Sequence, residues 1–246
     1  MEQKIGQKIR IGEAAKLLGV SIKTLRNWEK SGKLRALRTV GGQRYYNEEV
    51  LKRYRINIET LGLVWTSSEQ APTLPEEYYC DRQDRFTSRL SKMGSLFSQS
   101  LGQKSERLAS LLTLVAGEIG DNSFAHNIGN WPDVAGIFYA YDFEKRLIVL
   151  ADRGRGIQAT LKKVRPNIFD DKEALQIAFT EIVSGRAPEQ RGNGLKVVRQ
   201  VAEKDNAIGL NFRSGTALAE IPQIGGQLKI KMTEKNVRGV YAIIKF

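Results

Sequence analysis

One cysteine, Cys80, and one histidine, His126, stand in a chain of 246 residues. A lone cysteine excludes an internal disulfide framework and suits a reducing compartment. The two together exclude a Cys/His zinc cluster. With His126 as the only imidazole base and no Gly-x-Ser-x-Gly, nucleophilic hydrolase chemistry has no natural constellation. No Gly-x-x-x-x-Gly-Lys-[Ser/Thr] loop occurs, so a nucleotide, if bound, is held in another way. Long apolar runs are also missing. The longest, around Leu111–Ala116, is far short of the roughly 20 residues that a membrane span needs. Met1–Arg10 is charged and lacks the apolar core of a signal peptide. The expectation is a soluble, cytoplasmic chain with no membrane partner.

Acidic residues are in deficit, 27 against 39 Lys/Arg, for a net charge of +12. The excess is uneven. Residues 1–65 hold 14 Lys/Arg and 6 Asp/Glu, a net +8, and the rest of the chain carries only +4. A basic head on a nearly neutral body suits nucleic-acid binding, although basic surfaces also serve solubility alone. At 41% hydrophobic the chain can bury a real core, and its length fits one small and one medium domain.

The head reads as two short helices. Ala14, Ala15 and Leu18 fall at helical spacing, Gly19 ends that helix, and Ser21 caps the next, Ile22–Lys30. There Leu25 and Trp28 point inward, leaving Lys23, Thr24, Arg26 and Asn27 to face outward. This is a helix-turn-helix pattern, with the second helix suited to the major groove. A hairpin follows, with Gly41-Gly42 at its tip and arginines on both arms, and Asn47 caps a third helix, Glu48–Tyr54. The run Gly19-Val20-Ser21-x-x-Thr24-Leu25-Arg26-x-Trp28-Glu29-x-x-Gly32, then Arg38-Thr39-x-Gly41-Gly42-x-Arg44-x-Tyr46, resembles the MerR-type winged helix-turn-helix, especially the variant fused to serine resolvases. The resemblance implies that Lys23, Thr24 and Arg26 face double-stranded DNA and that Arg38, Arg44 and Tyr45 contact its backbone. Winged heads of this kind read paired half-sites, which implies a homodimer. No resolvase domain is expected, so recombination is not implied.

Residues 66–80 are polar, with two of the six prolines, and read as a linker between a head at 1–65 and a body at 81–246. At the start of the body Phe86, Leu90, Met93 and Phe97 form one face of a helix, to pack on its own domain or to pair two subunits.

Further on, Ser105–Asn127 reads as a long helix that puts Glu118 and Asn122 on one face, one turn apart. A carboxamide oxygen can serve Mg²⁺ while a carboxylate holds or deprotonates a water. Strands at Val134–Asp142 and Arg146–Ala151 follow, the second ending in Asp152-Arg153-Gly154-Arg155-Gly156. A carboxylate at a strand end before Gly-x-Gly can accept a hydrogen bond from an exocyclic amine, with the backbone passing close to the ligand. Asp171–Val183 looks helical, with Leu175, Ala178, Phe179 and Ile182 on one side. Gly192-Asn193-Gly194-Leu195 then opens another helix, Lys196–Glu203, and glycines there expose N–H groups that suit phosphate. Strands are expected near Ala207–Phe212, Ala217–Ile221, Gln227–Lys231 and Val237–Phe246.

In order, the three signals resemble the ATP-binding domain shared by gyrase, the heat-shock chaperones, histidine kinases and the MutL repair proteins. Glu118-x-x-x-Asn122 is similar to its N box, Asp152-x-Gly154-x-Gly156 to its first glycine box and Gly192-x-Gly194-Leu195 to its second. The implied fold class is α+β, a small winged helix-turn-helix followed by an α/β sandwich of a mixed sheet under helices. The implied cofactors are ATP and Mg²⁺. Asn122 would hold the metal, Glu118 would orient or deprotonate the attacking water, and Asp152 would read the adenine amine. Gly154, Gly156, Gly192 and Gly194 would shape the turns around the phosphates, with Ile157–Arg191 as a lid. Charge adds Arg186, Arg191 and Lys162 as phosphate candidates. No histidine stands on a helix before this domain, so histidine autophosphorylation is not expected, and neither is a transducer domain. The expectation is a nucleotide-responsive DNA-binding regulator, with slow hydrolysis or none. Two rival readings remain. One is a serine/threonine kinase of the anti-sigma type acting on a separate protein partner. The other is an adaptor that has lost its nucleotide.

Overall fold

The computed structural model describes residues 8–54, 57–101, 106–182 and 193–246. The chain divides into two compact units. The first holds the chain up to Asn57 together with Pro75–Glu77. The second holds Ile58–Leu74 and Tyr78–Phe246.

In the first unit β1 (Lys8–Arg10) leads into α1 (Ile11–Leu18), and α2 (Ile22–Lys30) follows. Gly19 closes α1 in the left-handed region at φ 67°, where a side chain would be strained. The Ser21 hydroxyl caps α2 by accepting from the Thr24 N–H at 3.0 Å. Next come β2 (Leu37–Arg38), β3 (Arg44–Asn47) and α3 (Glu48–Tyr54). The three strands form one antiparallel sheet, order β1-β3-β2, so the wing gains a strand from ahead of α1 that the sequence pattern did not suggest. Ala14, Ala15, Leu18, Leu25, Trp28, Tyr46 and Leu51 make a small core between helices and wing.

The second unit opens with α4 (Ile58–Ser67), a helix absent from the sequence reading. Residues 66–80 are thus more than a linker. They finish α4, make a single 3-10 turn at Glu76–Tyr78 and supply an edge strand, β4 (Tyr79–Cys80). Two long helices follow, α5 (Gln83–Leu101) and α6 (Glu106–Asn127). Phe86, Leu90, Met93 and Phe97 of α5 are all buried in their own unit's core, as the packing alternative expects. After α6 come β5 (Ile137–Asp142) and β6 (Leu147–Asp152), then α7 (Gly156–Leu161), α8 (Asp171–Thr180) and α9 (Gly194–Lys204). Two long strands end the fold, β7 (Gly209–Ile221) and β8 (Lys229–Lys245). The four strands expected there are two, because the intervening glycines and charges are taken up by register shifts around Ser214–Ala217. Helix α8 stops at Thr180, so Ile182 is 72% exposed and does not join the Leu175/Phe179 face.

The five strands form one antiparallel sheet, order β4-β5-β6-β8-β7. Every residue of β6 is buried, the signature of a strand covered on both faces. Ile148 and Leu150 face the core shared with α5 and α6. On the other face, Val149 and the Phe138 ring lie against α4, where a Cβ on Gly62 would come within 3.0–3.1 Å of them. Strand parity therefore sends Asp152 toward α6 and Arg153 toward α4.

Candidate functional site

The second unit's cleft is built where β6 ends. Asp152 is buried and held from two sides. The Ser123 hydroxyl of α6 donates to Oδ2 at 2.7 Å, and the Gly154 N–H donates to Oδ1 at 2.8 Å. Burial raises its pKa from 3.8 to about 6, and those two donors, with the Val240 N–H, oppose the rise. The cleft it lines has an empty volume near 420 Å³, part of it open to solvent. Ile119, Asn122, Ser123 and His126 come from α6, Gly156, Ile157 and Thr160 from α7, and Leu195, Phe212 and Val240 close it. Apolar walls around a few convergent polar groups are the usual make-up of a small-ligand site.

Close backbone approach is built in. A Cβ on Gly194 would stand 2.6 Å from Glu118 Oε2 and 2.8 Å from Asn122 Nδ2, so the start of α9 lies close against the flexible ends of the Glu118/Asn122 pair, which would have to shift for any larger residue. A Cβ on Gly239 would collide with the Asp152 carboxylate, and one on Gly154 with the Asn127 amide. At Gly156 φ is +74°, and the next N–H, of Ile157, donates to Ser214 Oγ at 2.9 Å. Ser214 in turn donates to Gly239 O, so the register shift in β7 anchors the start of α7 to β8.

The structure thus brings Asn122, Asp152 and Gly156 to one cleft, with Glu118 and Gly194 in contact at its α6–α9 end. Arg186, Arg191 and Gly192 lie outside the described residues, as does the end of the expected lid. The described part of that segment is mostly helical, α7 and α8, which Asp171 ties to β7 through the Thr216 N–H and hydroxyl. Sequence reasoning missed Ser123, Asn127 and Arg153. The first two had a legible signal, lying on the α6 face that also carries Ile119 and Asn122. Asn127 accepts from the Arg155 N–H at 3.0 Å and donates to Ser123 O, fixing the glycine turn.

Arg153 had no sequence signal beyond being a charge between Asp152 and Gly154. It is fully buried. Its guanidinium donates to Trp65 O, to Ser68 O at 2.9 Å and to Glu69 O at 3.0 Å, and Nε donates to Asp133 Oδ2 at 2.6 Å. It closes the carbonyl end of α4, where a cation is favoured. The carboxylate on the cleft side and the guanidinium on the α4 side are therefore adjacent residues of one rigid turn. On the first turn of α9, Lys196 Nζ is enclosed with no hydrogen-bond partner among the described residues, and burial lowers its pKa.

In the first unit Arg26 and Asn27 are exposed on α2, as expected. Thr24 is not. It is 8% exposed, because its hydroxyl turns back to Ser21 and to Glu77. Lys23 pairs with Glu76 at 2.7 Å. Arg38 and Arg44 both reach Glu29, at 3.0 and 2.6 Å, and hold its carboxyl below the usual range, Arg44 first. They fasten the wing to α2, and only their remaining nitrogens are left for another partner. Tyr45 is half-buried, with the Lys8 ammonium 5.1 Å from its ring centre.

Residues 10–46 match the model of the MerR family regulatory protein. No curated protein matches the chain. Among solved structures it is similar to the 43K ATPase domain of Thermus thermophilus gyrase B in complex with an aminocoumarin. Identity is 15% and the TM-score 0.32, over 67% of this chain and 40% of that one. The described architecture is a helix-turn-helix head with a three-stranded sheet, then an antiparallel sheet backed by helices. No described helix is long and apolar enough to cross a membrane.

Proposed function

We propose that the protein is a DNA-binding regulator whose second unit binds Mg²⁺–ATP. The observation that carries the nucleotide reading is Asp152, a buried carboxylate fixed by Ser123 and Gly154 at the wall of an otherwise apolar cleft. A carboxylate kept there at an electrostatic cost needs a reason, and an exocyclic amine donating to it supplies one. With a pKa of about 6 it is mostly ionised at neutral pH and accepts that bond.

The residues fit the rest of the ligand. Val240, Leu195, Ile157 and Phe212 would cover a flat base. Asn122 would give one neutral oxygen to Mg²⁺, which takes most of its ligands from water and phosphate. Glu118, beside Asn122, would orient water at the terminal phosphate. The match of residues 10–46 supports duplex DNA as the partner of the head, with Arg26 and Asn27 facing it.

Calorimetry of Mg²⁺–ATP on the full chain tests the reading. Saturable binding, lost with Asp152→Ala and weakened with Asn122→Ala, is the expected result. No heat at millimolar nucleotide would leave the cleft as a structural relic.

A further inference from the structure

The first unit is discontinuous, and its distant piece lies on α2. The Ser21 N–H donates to Glu77 Oε1 at 2.8 Å, and the Thr24 hydroxyl to Glu77 Oε2 at 2.9 Å. The Lys23 ammonium donates to Glu76 Oε2 at 2.7 Å. These partners are 53 to 56 residues apart in the chain, so the contact is a tertiary choice and not a local turn. All three donors belong to the first turn of the helix that the head would present to DNA.

The physical preference is for negative charge. A helix start offers unpaired N–H groups and the positive end of its dipole. A DNA phosphate would use the same donors, since phosphates take most of the protein–DNA hydrogen bonds and helix starts are common donors. Here a carboxylate takes two of them with both oxygens, and a second carboxylate takes the nearby ammonium. It is this arrangement that buries Thr24, while Arg26 and Asn27 stay open. One set of donors cannot serve both a carboxylate pair and a phosphate.

We infer that Glu76 and Glu77 are an autoinhibitory strap whose carboxylates stand in for DNA phosphate at the start of α2 and must be displaced when the head engages a duplex. The inference rests on the DNA-binding reading of the head. The strap holds down phosphate anchoring and leaves the side chains suited to base contact exposed. Sequence specificity is then little changed, and overall affinity is lowered.

The test uses the full chain and fluorescence anisotropy with a fluorescein-labelled, mixed-sequence duplex at fixed salt. Two double variants are compared with wild type. Glu76→Gln with Glu77→Gln removes the charge. Glu76→Asp with Glu77→Asp keeps the charge but shortens the reach, so the contacts fail. Two charge-assisted hydrogen bonds and one surface ion pair are lost, and both variants are expected to bind about tenfold more tightly. Tightening in the Gln variant alone would mean simple charge repulsion and would overturn the strap. Equal affinity in all three forms would overturn it too, with DNA binding itself intact. If no form binds the duplex at all, the DNA reading of the head falls, and the strap with it.

Discussion

Replacing Asp152 by Asn should stabilise the protein at neutral pH while removing nucleotide binding. The carboxylate's pKa rises from 3.8 to about 6 because the charged form is desolvated. Such a rise corresponds to about 3 kcal/mol at pH well above 6. The sign follows from proton uptake. Between 3.8 and 6 the folded state holds a proton that the unfolded state has released, so folding is favoured at low pH and loses that support as pH rises through 6. Asparagine fits the same place without charge. Its oxygen can accept from the Gly154 N–H, and its amide can donate to Ser123 Oγ, whose hydrogen then turns to Ile119 O, 3.2 Å away. At pH 8 the variant should therefore melt roughly 5–10 °C higher than wild type, and at pH 4 the two should nearly coincide. Differential scanning calorimetry across that pH range, following the larger transition, checks this. A pH-independent difference, or a variant less stable at pH 8, would refute the claim that Asp152 is held ionised against its surroundings.

Gly194→Ala should weaken Mg²⁺–ATP about tenfold with little change in melting, because the new methyl meets only the flexible ends of Glu118 and Asn122; calorimetry beside a thermal melt separates the two effects. Arg153→Met should destabilise the second unit by about 3–5 kcal/mol in urea, leaving Asp133 and three carbonyls without their buried donor. Equal stability would show that the guanidinium does not hold the end of α4. Arg26→Ala should lower DNA affinity, and if it binds a phosphate it should reduce the slope of log affinity against log salt by about one. An unchanged titration would place α2's exposed face away from the duplex. Mg²⁺–ATP affinity should fall as pH drops below about 6, when Asp152 takes up a proton, and Asn122→Ala should leave that midpoint in place.

Local signals carried the head a long way. Gly19 at a left-handed helix end, the Ser21 cap and the Leu25/Trp28 spacing are properties of neighbours in sequence, and the helices formed where those signals lay. The same holds for Glu118 and Asn122, one turn apart on α6, and for Asp152 at a strand end before glycines. Helical period and strand parity are enough to aim such side chains. Where pairing between segments distant in the chain was needed the sequence was mute. Strand β1 exists because β3 offers it an edge, and α4 because the far face of β6 needs cover.

The sequence by itself determined which residues could do chemistry: a basic head, a polar pair on a long helix and a carboxylate before a glycine turn. Only the tertiary structure decided what surrounds them. It turned Arg153 from a surface-looking charge into the buried clamp on α4, set Ser123 against Asp152, and laid Glu76 and Glu77 on the donors of α2. Each of these joins residues far apart in the chain, and burial and hydrogen-bond satisfaction are properties of the packed molecule that no local pattern encodes.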